Sequence, residues 1–289
     1  MLIGAHVSTA GGLANAVERG IETESDAIQI FNQSPRAWRP TRYTGDDFAA
    51  FREALDSSRV EAAMIHAVYL INCASKQQEI RSKSIASLIH ALRVGDGMGA
   101  EGVVLHAGSR KGEPQGPSMK RAAQAISEGL AESEGCPLLL ENTAGTQGPL
   151  GRDFAELAEL IELAGGDERL GVCVDCCHLF ASGYDIRSIE AVAAVVDQLD
   201  SEIGLERLHC LHVNDSKVGL GANRDLHANL PDGEIGREGL GAFLSEPRFE
   251  GLPALLEVPG PEGKGPGAAQ IRLARELLES GRAERARAS

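Results

Sequence analysis

Short apolar runs alternate with longer amphipathic stretches along the chain, and this alternation constrains the fold more than any other feature. Apolar runs of about four to eight residues are typical of buried strands, and longer stretches with helical periodicity are typical of helices that cover a sheet. Strands that alternate with helices predict βα units and a parallel sheet. Eight strand candidates are present. That number predicts an α/β fold of the (β/α)8 TIM barrel class, whereas about five or six strands would indicate an open sheet.

The predicted strands cover residues 2–7, 27–31, 62–66, 102–106, 137–141, 171–175, 207–213 and 254–258. The predicted helices cover residues 46–56, 80–98, 118–133, 153–163, 186–199 and 268–278. A barrel of about 250 residues is a common single domain, so we expect one domain over residues 1–289. The polar, uncapped segment 281–289 is expected to be frayed, because unanchored termini are rarely ordered.

The composition indicates in which cellular compartment the protein resides. No apolar run approaches the roughly 18 residues of a membrane span, and the first residues lack the pattern of a signal peptide. A cytoplasmic protein without a membrane partner is therefore predicted. The six cysteines lie mostly in apolar runs, and we expect them to be reduced and buried.

The net charge argues against one class of partner. With 42 acidic and 28 basic residues the formal net charge is −14, and nucleic-acid-binding proteins usually present a basic face. Bound divalent cations would change the local potential, and net charge does not report how charge is distributed. A nucleic-acid substrate therefore stays open.

Polar residues stand where the predicted strands end. The carboxyl ends of parallel barrel strands share one face, which is where barrel enzymes carry their active sites. We therefore expect these residues to meet, although they are far apart in the sequence. They are His66, His106, Glu141, Asp175, His178, His212, Asp225, His227 and Glu257.

Five histidines and four carboxylates are the ligand types of zinc and manganese hydrolases. With about three protein ligands for each catalytic zinc ion, nine ligands could hold two or three ions. So many carboxylates at one barrel mouth would carry a large desolvation cost without cations. A single histidine at a strand end is usually structural, so the prediction rests on their joint occurrence. His6 is expected near the site but not as a ligand.

The same segments contain motifs that resemble those of the endonuclease IV family. The resemblance runs from residue 2 to about residue 259 and includes Asp225-Leu226-His227 and Leu256-Glu257. The other motifs are GAHVS at 4–8, HAVYLIN at 66–72, HAGS at 106–109, ENTAG at 141–145, VCVDCCH at 172–178 and HVNDSK at 212–217.

The resemblance implies a TIM barrel with three Zn2+ ions, part of which Mn2+ could replace, and it divides the ligands among them. His66, His106 and Glu141 would hold the first ion. Glu141 would bridge to a second ion, held with Asp175, His212 and Glu257. His178, Asp225 and His227 would hold the third.

The activity implied by the resemblance is DNA repair by a monomer on abasic duplex DNA. The phosphodiester on the 5′ side of the abasic site would be hydrolysed, which leaves a 3′-hydroxyl and a 5′-deoxyribose phosphate. Glu141 would orient the attacking water. Arg36, Tyr69 and Leu70 occupy places that family members use to contact DNA and wedge into the minor groove, although ordinary rim packing would also explain Tyr69.

The chain departs from the family in the loop after His227, where Pro231 and Asp232 stand in place of a glycine and a longer acid. This departure lies in the loop whose residues would bind the third ion, so it could alter how that loop holds the ion. The main alternative is a sugar isomerase or epimerase of a related barrel family, which would hold one or two metals. A non-catalytic protein that binds damaged DNA is a second alternative.

Overall fold

The strands form where the sequence pattern predicts them. The computed structural model describes residues 1–288. Its strands are β1 (Leu2–His6), β2 (Ala27–Phe31), β3 (Ala62–His66), β4 (Gly102–Leu105), β5 (Leu138–Glu141), β6 (Leu170–Asp175), β7 (Leu208–His212), β8 (Asp215–Ser216), β9 (His227–Ala228) and β10 (Pro253–Leu256). Within residues 1–288, eight of them close a parallel barrel in the order β1, β10, β7, β6, β5, β4, β3, β2. The predicted barrel is confirmed, and β8 and β9 form a separate antiparallel pair.

Helices cover the outside of this barrel. They are α1 (Asn15–Glu22), α2 (Gly45–Asp56), α3 (Gln78–Met98), α4 (Gln115–Ala131), α5 (Phe154–Leu163), α6 (Cys176–Ser182), α7 (Ile189–Glu202), α8 (Gly236–Leu244) and α9 (Ala268–Ala288). The sequence pattern missed α1, α6 and α8. These helices are short, and α6 continues the buried run of β6, in which Asp175 and His178 are the charged or ionisable residues. None of the helices in residues 1–288 combines the length and apolar character needed to cross a lipid bilayer.

The barrel interior is filled below the predicted ligands. Side chains two positions apart on a strand share a face, so the residue two positions before a ligand lies under it. These inner residues form a cluster separate from the main core between strands and helices. The cluster comprises Ala27, Ala62, Met64, Val104, Leu139, Cys173, Cys210 and Leu255. This apolar cluster therefore supports the predicted ligands from below. All six cysteines of the chain are buried and free, as predicted.

The prediction of a frayed C-terminus was wrong for the described residues, because α9 continues to Ala288. Gly281 allows α9 to approach α8 closely, since a Cβ there would lie 2.1 Å from the carbonyl oxygen of Gly241. Arg282 pairs with Glu250 at 2.8 Å. Arg285 pairs with the buried Glu246 at 3.1 Å. Tertiary packing and ion pairs therefore order a segment whose own sequence carries no stop or anchor signal.

Candidate metal centre

The nine predicted ligands meet at the carboxyl end of the barrel. Contacts of 3.0 to 3.9 Å between their ligand atoms connect all nine into one network. Residues separated by as many as 75 positions, such as His66 and Glu141, thus come within hydrogen-bond distance. The structure brings together the set that the strand ends predict, and their service as metal ligands stays a prediction.

Glu141, the last residue of β5, lies at the middle of this network. Its side chain is fully buried. Oε2 lies 3.2 Å from Nε2 of His66 and 3.0 Å from Nε2 of His106. Oε1 lies 3.1 Å from Nδ1 of His212 and 3.3 Å from Nδ1 of His178. The two oxygens of one carboxylate therefore face imidazoles on different sides, and this two-sided position suits a bridging ligand.

Backbone carbonyl groups set the orientation of two of these imidazoles. Nδ1 of His66 lies 2.7 Å from the carbonyl oxygen of Ala67, and Nδ1 of His178 lies 2.9 Å from that of Asn142. A carbonyl can only accept, so Nδ1 of each ring is the donor and Nε2 keeps its lone pair in the neutral tautomer. Both rings therefore direct Nε2 into the site, as outer hydrogen bonds commonly do at metal centres.

Asp175 ends β6 and also begins α6. Its Oδ1 accepts a hydrogen bond from the backbone N–H of His178 at 2.8 Å, which is a helix N-cap. The cap starts α6 at once and places His178 beside Glu141. Oδ2 of Asp175 accepts a hydrogen bond from the amide of Asn214 at 2.7 Å and lies 3.7 Å from Nε2 of His227. The local helix start thus explains why two ligands three residues apart reach the same site.

Asp225 and His227 approach the barrel mouth on the loop after β7. Oδ1 of Asp225 lies 3.1 Å from Nε2 of His178 and 3.2 Å from Nε2 of His227. β9 fixes this approach by pairing with β8, in which Asp215 is fully buried. The carboxylate of Asp215 accepts hydrogen bonds from the backbone N–H groups of Gly233 at 2.9 Å and Ile235 at 3.0 Å. These hydrogen bonds to the buried Asp215 therefore fix the conformation of the loop that contains Pro231 and Asp232.

Sequence reasoning missed two polar residues beneath the predicted ligands. Gln29 in β2 and Asn214 after β7 are both fully buried. The amide of Asn214 donates to Asp175 and accepts from the backbone N–H of Glu257 at 2.9 Å. Gln29 was detectable, since it is a polar residue in the apolar strand Ala-Ile-Gln-Ile-Phe. It contacts His6, which lies near the site as expected, at 3.1 Å.

The electrostatics of the network require positive charge. Burial alone lowers the pKa of a histidine, but the neighbouring carboxylates outweigh it and raise the pKa of His178 and His212 well above the usual value. The same competition raises the pKa of His227 to about 8. Burial raises the pKa of Glu141, but nearby histidines, His106 and His212 foremost, hold it well below its usual value. Protons balance these carboxylates in the chain alone, and any metal that binds must displace protons.

The donor set fits divalent metals. Ligand atoms of His66, Glu141, His212 and Glu257 lie within 4.8 Å of one another, and so do those of His178, Asp225 and His227. Nε2 of both His178 and His227 is buried and has no well-oriented hydrogen-bond partner among the described residues. Two imidazole nitrogens that converge on one carboxylate oxygen without hydrogen-bonding to it suit a cation between them.

A cleft beside the cluster is large enough for an extended substrate. Its volume is about 960 Å3, and its walls include His6, Gln33, Tyr43, Tyr69, Glu257 and Lys264. Tyr69 is 62 % exposed, with its ring 5.2 Å from that of Phe31 and 5.4 Å from that of His66. Leu70 packs partly against the core. Arg36 is exposed directly after the cleft residue Pro35 and has no hydrogen bond or ion pair with the described residues.

The distribution of charge answers the objection raised by the net charge. The outer helices α5 and α7 carry acidic residues and no basic residue. Exposed cations lie on loops at the carboxyl end of the barrel, namely Arg36, Arg39, Arg42, Lys111, Lys217, Arg224 and Lys264. The excess of acid therefore lies partly on the outer wall and partly among the predicted ligands, while the loops at the carboxyl end of the barrel carry exposed basic groups.

Comparisons with known proteins agree with this fold. Residues 15–281 match the family described as xylose isomerase-like TIM barrel. A probable endonuclease 4 of Geotalea daltonii is 37% identical, over 96% of this chain and 98% of that protein. The crystal structure of endonuclease IV from Thermus thermophilus superimposes with a TM-score of 0.85 at 39% identity, covering 97% of this chain and 100% of the other. A D-tagatose 3-epimerase-like protein shares the fold, with a TM-score of 0.69 at 21% identity over 97% of both chains.

Proposed function

The chain belongs to the endonuclease IV family, and on that premise we propose that it is a metal-dependent endonuclease that cuts DNA at abasic sites. One observation carries the proposal: both oxygens of the buried Glu141 face separate pairs of imidazoles. A bridging carboxylate suits a cluster of ions, and paired ions are a common device for hydrolysing phosphodiesters.

We assign the residues to three Zn2+ ions, part of which Mn2+ could replace. His66, His106 and Glu141 would hold one ion, and His178, Asp225 and His227 would hold another. The ion between them would be held by Glu141, Asp175, His212 and Glu257. Contacts of 3.0 to 3.4 Å occur within each set, and the division among the ions is the one that the family resemblance implies. All nine residues come from one chain, so a monomer with one barrel domain would suffice.

Bound ions would lower the pKa of water and stabilise negative charge on phosphodiester oxygens. The chain's own groups supply the geometry: the carbonyl groups of Ala67 and Asn142 aim two imidazoles, and Glu141 would orient the attacking water. No side chain has to act as a nucleophile. Attack on the 5′ side of the abasic sugar would leave a 3′-hydroxyl and a 5′-deoxyribose phosphate.

The cleft suits a distorted duplex. Tyr69 stands exposed at its wall, and Arg36 and Leu70 adjoin its lining residues. Side chains that wedge into the minor groove offset the cost of unstacking, which is smallest for a nucleotide without a base. We propose that these three residues contact DNA and that the basic rim loops bind its phosphates.

The decisive experiment is incubation of the protein, loaded with Zn2+, with a duplex that contains one abasic site, with and without a chelator. We expect a single cut 5′ to the abasic site, no cut in the matched intact duplex, and no cut after chelation. Binding of the abasic duplex without a cut in metal-replete buffer would instead support a damage-binding protein. Epimerisation of a ketose with one or two ions per chain and no DNA cleavage would support the sugar epimerase.

Replacement of Arg36 with alanine should weaken binding more than chemistry. Its exposed guanidinium has no partner in the described chain, so its loss should cost little folding stability and roughly tenfold in affinity for abasic duplex, or ~1.4 kcal/mol. Fluorescence anisotropy measures the affinity, and single-turnover cleavage at saturating enzyme measures the chemistry. Arg272→Ala, which removes an exposed arginine of α9 that pairs with Glu24, controls for the change in net charge. An unchanged dissociation constant would remove Arg36 from the DNA interface.

A further inference from the structure

Gln29 is a buried amide that touches two of the predicted ligands. Its Nε2 lies 2.7 Å from Oε1 of Glu257 and 3.1 Å from Nδ1 of His6. Its Oε1 lies 2.9 Å from Nε2 of His212. The residue is fully buried in β2, and it joins His212 across 183 positions of sequence. One side chain therefore connects β1, β2, β7 and the residue that follows β10.

The chemistry of the partners fixes the direction of this amide. An ionised carboxylate can only accept hydrogen bonds, so the group that faces Glu257 must be the amide nitrogen. The amide oxygen then faces His212, and it can only accept, so Nε2 of His212 must be the donor. In the neutral ring Nδ1 of His212 keeps the lone pair, and it lies 3.1 Å from Oε1 of Glu141 and 3.4 Å from Oε2 of Glu257.

The same amide fixes His6. Because the amide nitrogen is a donor, Nδ1 of His6 accepts from it, and the proton of the neutral ring lies on Nε2. The ring of His6 packs 4.4 Å from that of Phe31 at the wall of the cleft. Each barrel strand thereby supplies a polar side chain to the mouth: His6 and Gln29 complete the ring on β1 and β2, the strands without a predicted ligand.

An amide suits this position better than a charged group. It donates to Glu257 and accepts from His212 at once, and it adds no charge to a network that already holds four carboxylates. A glutamate would face Glu257 with a second acceptor, and a leucine would leave both partners without a hydrogen bond in a buried place, which is costly.

We propose that Gln29 is a positioning residue that holds His212 by its Nε2–H and Glu257 by its Oε1, so that Nδ1 of His212 and Oε2 of Glu257 are directed at one shared ion. The effect of Gln29 on catalysis rests on the proposed function. Its effect on metal binding rests on contacts within the chain. Outer hydrogen bonds of this kind typically change metal affinity by about 10- to 100-fold.

The test compares Gln29→Leu with the wild-type protein in buffers of fixed free Zn2+ concentration. We expect one ion per chain to bind about 10- to 100-fold more weakly in the variant, while the other ions keep their affinity. Nitrogen-15 spectra of the imidazoles provide a second readout: the Nε2–H signal of His212 should be fixed in the wild type and lost or exchanging in Gln29→Leu. In Gln29→Glu the signal should persist, because a carboxylate still accepts the hydrogen bond from Nε2–H of His212.

Ser118→Ala is the control, because it removes a fully buried hydroxyl with hydrogen bonds to Pro114 and Arg121 in α4. Its Zn2+ binding should equal that of the wild type. Equal Zn2+ affinities in Gln29→Leu and wild type would show that Gln29 only fills space. If Gln29→Leu does not fold, Gln29→Glu decides, since it keeps the size and loses the donor to Glu257; unchanged or tighter binding of every ion there would overturn the proposal.

The two proposals fail in different ways. Wild-type protein that binds Zn2+ and leaves an abasic duplex intact, with an ion lost from Gln29→Leu, would refute the endonuclease and leave the role of Gln29 standing. Wild-type protein that cuts the duplex, with Gln29→Leu equal to it in both ion binding and cleavage, would refute the role of Gln29 and leave the endonuclease standing.

Discussion

Replacement of Glu141 with glutamine should abolish cleavage of an abasic duplex and leave the barrel folded. The carboxylate is fully buried and faces four imidazoles, two at each oxygen. Glutamine keeps the shape, but it removes the negative charge and points an N–H2 group at one pair of ligands. We expect the cleavage rate to fall by at least ~10³-fold, at the upper end of the loss seen when one electrostatic group is removed from an active site.

Single-turnover cleavage and the number of Zn2+ ions per chain measure this effect. The matched control is Glu246→Gln, which makes the same change at another buried carboxylate, paired with Arg248 and Arg285 between α8 and α9. That variant should cut at the wild-type rate even if its unfolding temperature falls. Wild-type turnover in Glu141→Gln would refute the bridging role, and a loss of the circular dichroism spectrum would show that Glu141 serves the fold instead.

Replacement of Asp225 with asparagine should remove one ion and most of the activity at little cost in stability. The Asp225 side chain is 48% exposed on a loop, and its Oδ1 lies between Nε2 of His178 and Nε2 of His227. Those histidines hold the pKa of Asp225 far below its usual range against the effect of burial, so its charge matters at neutral pH. We expect a fall from three ions to two and a rate loss of about 10²-fold or more.

Elemental analysis after gel filtration counts the ions, and thermal unfolding reports the stability. Asp232→Asn changes an acid to its amide in the same loop, outside the predicted ligand set, and should retain three ions and full activity. That control also tests the departure at Pro231 and Asp232, which the buried carboxylate of Asp215 anchors from below. Full cleavage by Asp225→Asn with two ions would remove the third site from the mechanism.

The sequence predicted the fold, and it predicted which polar residues meet at the barrel mouth, because both depend on simple periodicities. β2 and β3 form at the predicted bounds, and every predicted ligand is found at the barrel mouth. The alternation of strands and helices identifies a barrel, and the carboxyl ends of its strands must share one face. The missed helix α6 shows the limit of this reasoning, because the run from β6 into α6 stays buried and no turn signal separates the two elements. The helix begins where the side chain of Asp175 caps the backbone N–H of His178.

The sequence by itself determined which residue types stand at which strand ends, since side-chain direction repeats with a short local period. Only the tertiary structure decided which atoms meet: the two-sided position of Glu141, the imidazole nitrogen that each outer hydrogen bond leaves free, the amide of Gln29 under His212 and Glu257, and the ordered end of α9. These contacts depend on how the barrel closes and on how its loops and helices pack. Distances between residues up to 228 positions apart, such as Gln29 and Glu257, are fixed by that closure and by no local pattern.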